Sequence, residues 1–470
     1  MLRITPHAAI TNPQLLASGF QGSSWDRWRA TLKAMFGELL DLAETRLFQE
    51  VAERSAPTRP VKECWLAIGR RGGKDSIASA VAVAMALSDV RPYLRPGEVA
   101  TIACLAVSRL QAKIVLGYIK ASFFDNKLLA EMVVRETDDG IELNNGIEIL
   151  VLSNNFRSLR GRTILCAILD ECAYWRDDNF ANPDQEVYAA ILPAMMTLPD
   201  AILIGISTVY RKAGLLYEKW AKHYGKADPD VLVVKATTRQ FNPTISQAFI
   251  DEQLERDPEL NGAEYISEWR TDVAAFVSRE VVEASIVRGR HELWPQPAIQ
   301  YWGFCDPSGG SGSDSMTLAV AHSEGELGER RILDAIREWR PQFSPDDVTK
   351  EAAQTLNHYG ITTIRGDRFG GDWIAERFRE RGIGYEPAEK PKTQIYTEFL
   401  PLLNAARTEL LDHPRLLAQL CQLERRSVRG SGREVIDHAP NGHDDVANAV
   451  AGALIGAGIE RSLLAWRGML

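Results

Sequence analysis

The sequence predicts an α/β protein of two domains, the first built on a parallel sheet and the second a separate strand-rich unit. Three observations predict it. Short continuous apolar runs alternate with helical stretches through the first half, a glycine-rich loop ending in lysine follows one of those runs directly, and strand-like runs of the second half end in aspartates. Apolar runs that are continuous rather than alternating mean strands covered on both faces, the mark of a parallel sheet with helices on each side.

Length and composition set the frame. A chain of 470 residues exceeds one core at about 100–200 residues per domain, and the expected division is residues 1–275, a connector over 276–297, and residues 298–470. Apolar content of 45% and charged content of 25% are ordinary for a globular protein and argue against disorder, collagen or a coiled coil. Six cysteines, none in a CxxC pair, argue against a disulfide framework and a structural zinc site and fit a reducing cytoplasm. The opening MLRITPHAAITNPQ lacks a basic-then-apolar signal layout, and the most apolar run, Ile77 to Leu87, is too short to span a bilayer, so no membrane is expected. The net charge of −9 does not advertise a nucleic-acid binder, because affinity for a phosphate backbone comes from Lys and Arg. Local basic stretches such as Arg425, Arg426, Arg429 and Arg433 can still meet one.

Residues 25–54 read as helix from the spacing of Trp28, Leu32, Met35, Leu39, Leu42 and Leu47, ending before Pro57 and Pro60. Five strand runs follow: CWLAIG at 64–69, EVATIACLAV at 98–107, ILCAILD at 164–170, AILIGIS at 201–207 and DVLVVKAT at 230–237. The prolines of WPQPA mark the connector. Beyond it, YWGFCDPSGGSGSDSMTLAVAH places two strands around a Gly/Ser turn, RRILDAIREW and ITTIRGD continue the sheet, and DDVANAVAGALIGAG at 444–458 forms a late helix of small residues.

The strand CWLAIG runs straight into Gly69, Arg70, Arg71, Gly72, Gly73, Lys74, Asp75 and Ser76 and then an alanine-rich helix. Glycines let backbone N–H groups curl around phosphate oxygens, the helix N-terminus adds positive potential, and a lysine reaches the outer phosphates. The first glycine is one residue closer than in G-x-x-x-x-G-K-[ST], and Asp75 stands where Ser or Thr ordinarily ligates magnesium. Either Ser76 takes that role by a one-residue shift or Asp75 holds the metal through water. A bland Gly-rich turn is the competing reading.

The strand ILCAILD ends in Asp170 and Glu171, an arrangement in which the first acid can help hold Mg²⁺ and the second can polarise an attacking water. A strand capped by two acids is the plainer alternative. AILIGIS ends in Ser207 and Thr208, which either sense a γ-phosphate at the C-terminal edge of the sheet or form a simple turn. Arg70 and Arg71 are either finger-type arginines or solvated loop charges.

In the second half, Asp306 ends YWGFCD, Asp367 ends ITTIRGD, and Asp444 and Asp445 open the last helix. Two-metal phosphodiester cleavage needs several carboxylates to hold hard cations about 3.5–4 Å apart. Acids from two strand ends and a late helix converge only if the sheet brings them together. With 63 acids in the chain, an Asp at a strand end or helix N-cap is also expected without any site. Asp314 and Asp372 read as turn and cap residues, and His443 as an exposed histidine before a helix rather than a ligand.

Taken in order, GRRGGKDS, SLRGRTILCAILDECAYW, GISTVYRKAGLLYEKW, GFCDPSGGSGSDSMTLAV, GDRFGGDW and NGHDDVANAV closely resemble the large terminase subunit of tailed double-stranded DNA bacteriophages, over roughly residues 60–458. The resemblance implies an N-terminal ASCE-type P-loop ATPase joined to a C-terminal RNase H-like (resolvase-like) nuclease. It implies ATP and Mg²⁺, with Mn²⁺ an option at the nuclease site. It casts Lys74 and its loop as the phosphate cradle, Asp170 as a magnesium ligand, Glu171 as the catalytic glutamate, and Ser207 and Thr208 as the coupling pair. It casts Arg71 as the loop's acting arginine, and Asp306, Asp367, Asp444 and Asp445 as nuclease metal ligands. It places the adenine-binding element near Trp25 and Trp28. Its implied partners are double-stranded DNA, a portal protein and a small terminase subunit, with a homo-oligomeric ring on the portal, a monomer in free solution, and the host cytoplasm as the setting. Val209 departs from the family, which often has proline there. A helicase-type, nucleic-acid-dependent ATPase is the alternative, and it requires a second motor lobe after residue 280.

Overall fold

The computed structural model describes residues 2–153, 159–175, 183–312, 314–325, 328–367, 373–427, 433–439 and 442–467. The chain divides into two compact units, one running up to Thr271 and the other from Asp272.

The first unit carries eight strands: β1 (Glu63–Ile68), β2 (Ala100–Ala106), β3 (Val133–Thr137), β4 (Gly140–Leu143), β5 (Ile147–Ser153), β6 (Thr163–Asp170), β7 (Ile202–Ser207) and β8 (Val231–Ala236). Their order in the sheet is β3-β4-β5-β2-β6-β7-β1-β8. From β5 to β8 every pairing is parallel. The five expected apolar runs are five of these six parallel strands, and β1, β2, β6 and β7 are buried along their whole length. The antiparallel arm of β3 and β4 and the parallel β5 were not among the expected strands. Their signal is turn chemistry: Gly146 sits at φ +84° in the sequence Asn144-Asn145-Gly146 between β4 and β5.

One expectation is corrected. Residues 25–54 form two helices, Asp26–Met35 and Leu42–Ala52, rather than one. Gly37 breaks the run at φ +68°, where a Cβ would lie 2.5 Å from the Arg59 backbone, and Asp41 starts the second helix with a capping box to Glu44. Leu39 and Leu42, read as helix-face residues, are exposed as a result. The helix after β1, Lys74–Ala86, is buried almost all round, and its alanines at every second position from 78 to 86 let it sit in the core without bulk.

The second unit contains β9 (Val273–Ala275), β10 (Ile286–Val287), β11 (Tyr301–Asp306), β12 (Met316–Glu324), β13 (Arg330–Trp339), β14 (Thr363–Gly366), β15 (Gly384–Pro387), β16 (Thr408–Leu411), β17 (Leu423–Ser427) and β18 (Glu434–His438). The main sheet runs β10-β16-β13-β12-β11-β14-β15, and β18-β17-β9 form a smaller one. Strands β11 to β13 are antiparallel in succession, whereas β14 and β15 run parallel to β11. The resulting order third-second-first-fourth-fifth is the RNase H-like arrangement. The helix Asp445–Arg467 packs on this sheet, and its small residues permit close approach: a Cβ at Gly452 would collide with the Phe304 ring, and one at Gly456 with Trp302. The stretch read as a connector from its prolines includes the helix Arg279–Ser285 and β10. Phe276, Val277, Val282 and Ile286 are buried in the second unit's core.

Candidate active sites

In the first unit, three chain segments reach one edge of the sheet. Strand β7 lies between β1 and β6, and the register Ala67 to Ser207 and Asp170 to Ile206 brings the C-terminal ends of all three level. The Gly69–Gly73 loop, Ser207-Thr208 and Asp170-Glu171 therefore sit side by side where open α/β sheets take ligands.

The loop is shaped by backbone needs. Gly73 is left-handed at φ +89° as it starts the helix, and Gly69 packs so tightly that a Cβ would lie 2.5 Å from the Thr238 nitrogen. Arg71 adopts φ +63° without being glycine. Carbonyls of the loop are tied outward: Thr238 Oγ1 donates to Arg70 O (2.8 Å), Asn242 Nδ2 to Arg71 O (2.9 Å) and the buried Trp28 indole N–H to Gly72 O (2.8 Å). The N–H groups of Gly69, Arg70 and Gly72 donate to the carbonyls of Ala236, Glu264 and Gly69 (3.0, 2.6 and 3.1 Å), which leaves those of Arg71 and Gly73, at the start of the helix, to face an anion. Lys74 is buried and donates to Ile68 O at 2.9 Å, while Asp75 and Ser76 are half-buried in the helix's first turn. Arg70 and Arg71 are exposed, and Arg70 reaches Glu264 at 3.3 Å.

Glu171 follows β6 at φ +48°, a left-handed conformation that costs a non-glycine residue about 1–2 kcal/mol. Its carboxylate accepts from Ser207 Oγ (2.9 Å) and the Thr208 N–H (3.3 Å). Among the described residues only Glu53, Arg71, Glu171, Ser267 and Ala406 share positive φ without being glycine. Two of these five fall in one site, and such strain gathers where function demands a fixed geometry.

The acids at this edge are electrostatically uncomfortable. Burial, reinforced by the neighbouring Glu171 and Asp75, pushes the Asp170 carboxyl up to about 8, and burial also raises Asp75, against the pull of Lys74. The Asp170 Oδ1 atom is buried with no hydrogen-bond partner. A hard divalent cation satisfies both conditions, since it supplies positive charge and takes oxygen ligands. The residues present thus fit a magnesium ion. The adenine element sought near Trp25 and Trp28 is not provided by Trp28, whose fully buried ring lies against Phe241 at 4.2 Å and serves the loop from behind. Tyr174, Thr238, Asn242 and Glu264 support this site without having been singled out as part of it, because they belong to no phosphate-loop pattern.

In the second unit, Asp306 ends β11, Asp367 follows β14, and Asp444 and Asp445 sit at the start of the last helix. Asn448, one turn along that helix, donates to Asp306 Oδ2 and Asp367 Oδ2, both at 2.8 Å. Burial and the adjacent Asp367 push Asp306 well above the usual carboxylate range, burial raises Asp367, and burial brings Asp445 up to about 6. Asp445 accepts from the Ser315 N–H (3.0 Å). Asp444 accepts from Tyr396 OH (2.9 Å) and pairs with Lys392 (3.1 Å), which also pairs with Asp437 (2.6 Å). Asp437, His438 and Asp444 offer ligand atoms that all lie within 4.8 Å of one another. Crowded buried carboxylates of this kind fit divalent cations as well.

Other sequence candidates fall elsewhere. His443 Nδ1 lies 3.1 Å from Asp314 Oδ1, a pairing at the exposed mouth of the site. Asp372 and Arg429 lie outside the described residues. Arg425 and Arg426 pair with Glu434 (2.7 Å) and Glu424 (2.9 Å), so these two charges are neutralised internally. The sequence reading passed over Asn448, Lys392, Tyr396, Asp437 and His438.

Fold and sites together define a P-loop α/β unit joined to an RNase H-like unit. The chain belongs to the family described as "Uncharacterized protein MJ0330, N-terminal P-loop domain", whose model matches residues 29–266. Among solved structures it is similar to the large terminase of bacteriophage HK97, at 18% identity and a TM-score of 0.39 over 88% of this chain and 95% of that one. It is similar to the large terminase of a thermophilic bacteriophage at 10% identity and a TM-score of 0.39, over 92% and 98%. The large terminase nuclease from thermophilic phage G20c with bound magnesium matches 37% of this chain and 94% of its own length, at 19% identity and a TM-score of 0.32. A search of curated proteins finds no match.

Proposed function

We propose that this chain is a genome-packaging motor of the large-terminase kind, which drives double-stranded DNA into a procapsid with ATP and cuts the concatemer with a metal-dependent endonuclease. The observation that carries the reading is the gathering of the Gly69–Gly73 loop, Ser207-Thr208 and Asp170-Glu171 at one sheet edge, in a chain whose second unit holds Asp306 and Asp367 on one asparagine. In the first unit the loop N–H groups and Lys74 bind the ATP phosphates, Arg71 offsets their developing charge, and Glu171 polarises water. Ser207 and Thr208, which hold the Glu171 carboxylate, couple its position to the end of β7. Magnesium there would be held by Asp170 with Asp75 or Ser76 and would neutralise phosphate charge.

In the second unit Asp306, Asp367, Asp444 and Asp445 would hold Mg²⁺ or Mn²⁺, which would supply an activated water and charge stabilisation for the leaving oxygen of a phosphodiester. The unit up to Thr271 is then the motor and the unit from Asp272, which takes in the stretch 276–297 first read as a connector, the nuclease. The portal protein, a small terminase subunit and DNA are the partners, with a ring of copies on the portal, a monomer in free solution and the host cytoplasm as the setting. The helicase alternative requires a second parallel motor lobe, whereas β11 to β13 are antiparallel. The test is whether purified protein both hydrolyses ATP and nicks plasmid with Mg²⁺ or Mn²⁺. Hydrolysis without metal-dependent nicking favours the helicase alternative and overturns this one.

A further inference from the structure

Tyr174 ends the single turn Cys172–Tyr174 that follows Glu171, and its amide donates to the Glu171 carbonyl at 2.9 Å. Its half-buried phenol joins the segment that follows β7 to the turn Gly262–Ile266. The hydroxyl lies 3.1 Å from Thr208 Oγ1, 3.1 Å from Glu264 Oε1 and 3.3 Å from the Val209 carbonyl. A phenol has one hydrogen to give. The carboxylate of Glu264 is the stronger acceptor, so that hydrogen goes to Glu264 and the phenol oxygen receives the Thr208 hydroxyl hydrogen.

Glu264 in turn holds the phosphate loop twice. Its carbonyl accepts the Arg70 N–H at 2.6 Å and its carboxylate meets the Arg70 guanidinium at 3.3 Å. It sits in a widened, π-type helical turn, Gly262–Ile266, closed by Ser267 at φ +59°. Such turns in helices frequently mark functional sites. A continuous chain of bonds therefore runs from Arg70 through Glu264, Tyr174 and Thr208 to the Glu171 carboxylate.

We propose that Tyr174 and Glu264 are positioning residues that tie the phosphate loop to Glu171, with Arg70 as the end that responds to nucleotide. This rests on the ATPase reading given above. An incoming phosphate competes for the exposed Arg70 guanidinium. As Arg70 turns toward the phosphate, Glu264 keeps only Tyr174 as its side-chain partner, and the Tyr174 bond to Thr208 fixes the backbone that presents Glu171. Neither residue touches nucleotide, so their effect falls on turnover more than on binding.

The test compares Tyr174→Phe, Glu264→Ala and Glu264→Gln with wild type by steady-state ATP hydrolysis and by binding of a fluorescent ATP analogue. Tyr174→Phe and Glu264→Ala are expected to lower kcat about tenfold, the effect of one lost hydrogen bond to a charged group, with KM and nucleotide affinity within about twofold. Glu264→Gln keeps an acceptor for the phenol and is expected to recover most of the lost kcat. The double variant Tyr174→Phe/Glu264→Ala should be no worse than either single one, because both cut the same chain. Wild-type kcat in Tyr174→Phe, or a loss carried by KM, overturns the relay while leaving the ATPase reading intact. A wild-type protein that binds no ATP and hydrolyses none overturns both.

Discussion

The Ser207 hydroxyl donates to the Glu171 carboxylate at 2.9 Å, joining the ends of two strands that are neighbours in the sheet. The glutamate is thus held by β7 rather than by its own strand, and any displacement of the β7 end displaces the group placed to polarise water. That relationship gives the coupling role proposed for Ser207 and Thr208 a physical content.

Glu171→Gln should abolish ATP turnover and preserve ATP binding. The amide oxygen still accepts from Ser207 and Thr208, so the turn keeps its shape, but it cannot polarise water as a carboxylate does. Hydrolysis rates and nucleotide affinity measured side by side check this, and turnover within a few-fold of wild type refutes the assignment.

Lys74→Ala should weaken nucleotide binding itself. The buried ammonium donates to the Ile68 carbonyl beneath the loop, and its loss removes attraction to the phosphates. Equilibrium binding of ATP reads the change, and an unaltered dissociation constant speaks against the cradle.

Trp28→Phe should cost about 1–3 kcal/mol of stability, because it keeps most of the packing but orphans the buried Gly72 carbonyl. Denaturant unfolding measures it. A nucleotide should recover part of the loss by ordering the loop; stability equal to wild type shows the bond contributes nothing.

Asn448→Ala should make the second unit depend on metal. Without its shared amide, the half-buried Asp306 and Asp367 lose their common hydrogen-bond donor, so the metal-free protein melts earlier and added Mg²⁺ or Mn²⁺ raises its melting temperature more than in wild type. Identical metal-induced shifts in the two proteins contradict a cation at these aspartates.

Much of this was legible in the sequence, for a reason visible in the residues. Parallel strands such as Thr163–Asp170 and Ile202–Ser207 are buried on both faces, so they appear as uninterrupted apolar runs, and the acids or hydroxyls that end them stand out by contrast. The arm of β3 and β4 did not stand out, because residues 134–137 of β3 are exposed and carry mixed polarity. The helix break at Gly37 was hidden by an apolar spacing that continues across it. Within the sites, a motif records residues that touch a ligand. It does not record Tyr174, Glu264 or Asn448, whose importance comes from bonds to partners between 34 and 194 residues away. Asn448 left one faint trace, lying a helical turn after Asp444.

Two separately cored units are proposed to carry two independent chemistries. Plasmid cleavage and ATP hydrolysis by Asp306→Asn, measured on one preparation, test this most directly. Exchanging that carboxylate for an amide weakens cation binding in the second unit and touches nothing in the first, and changes without shared partners act almost independently. No cutting and near wild-type ATP hydrolysis are expected; persistent cutting, or loss of both activities in a protein that remains folded, overturns the division of labour between the two units.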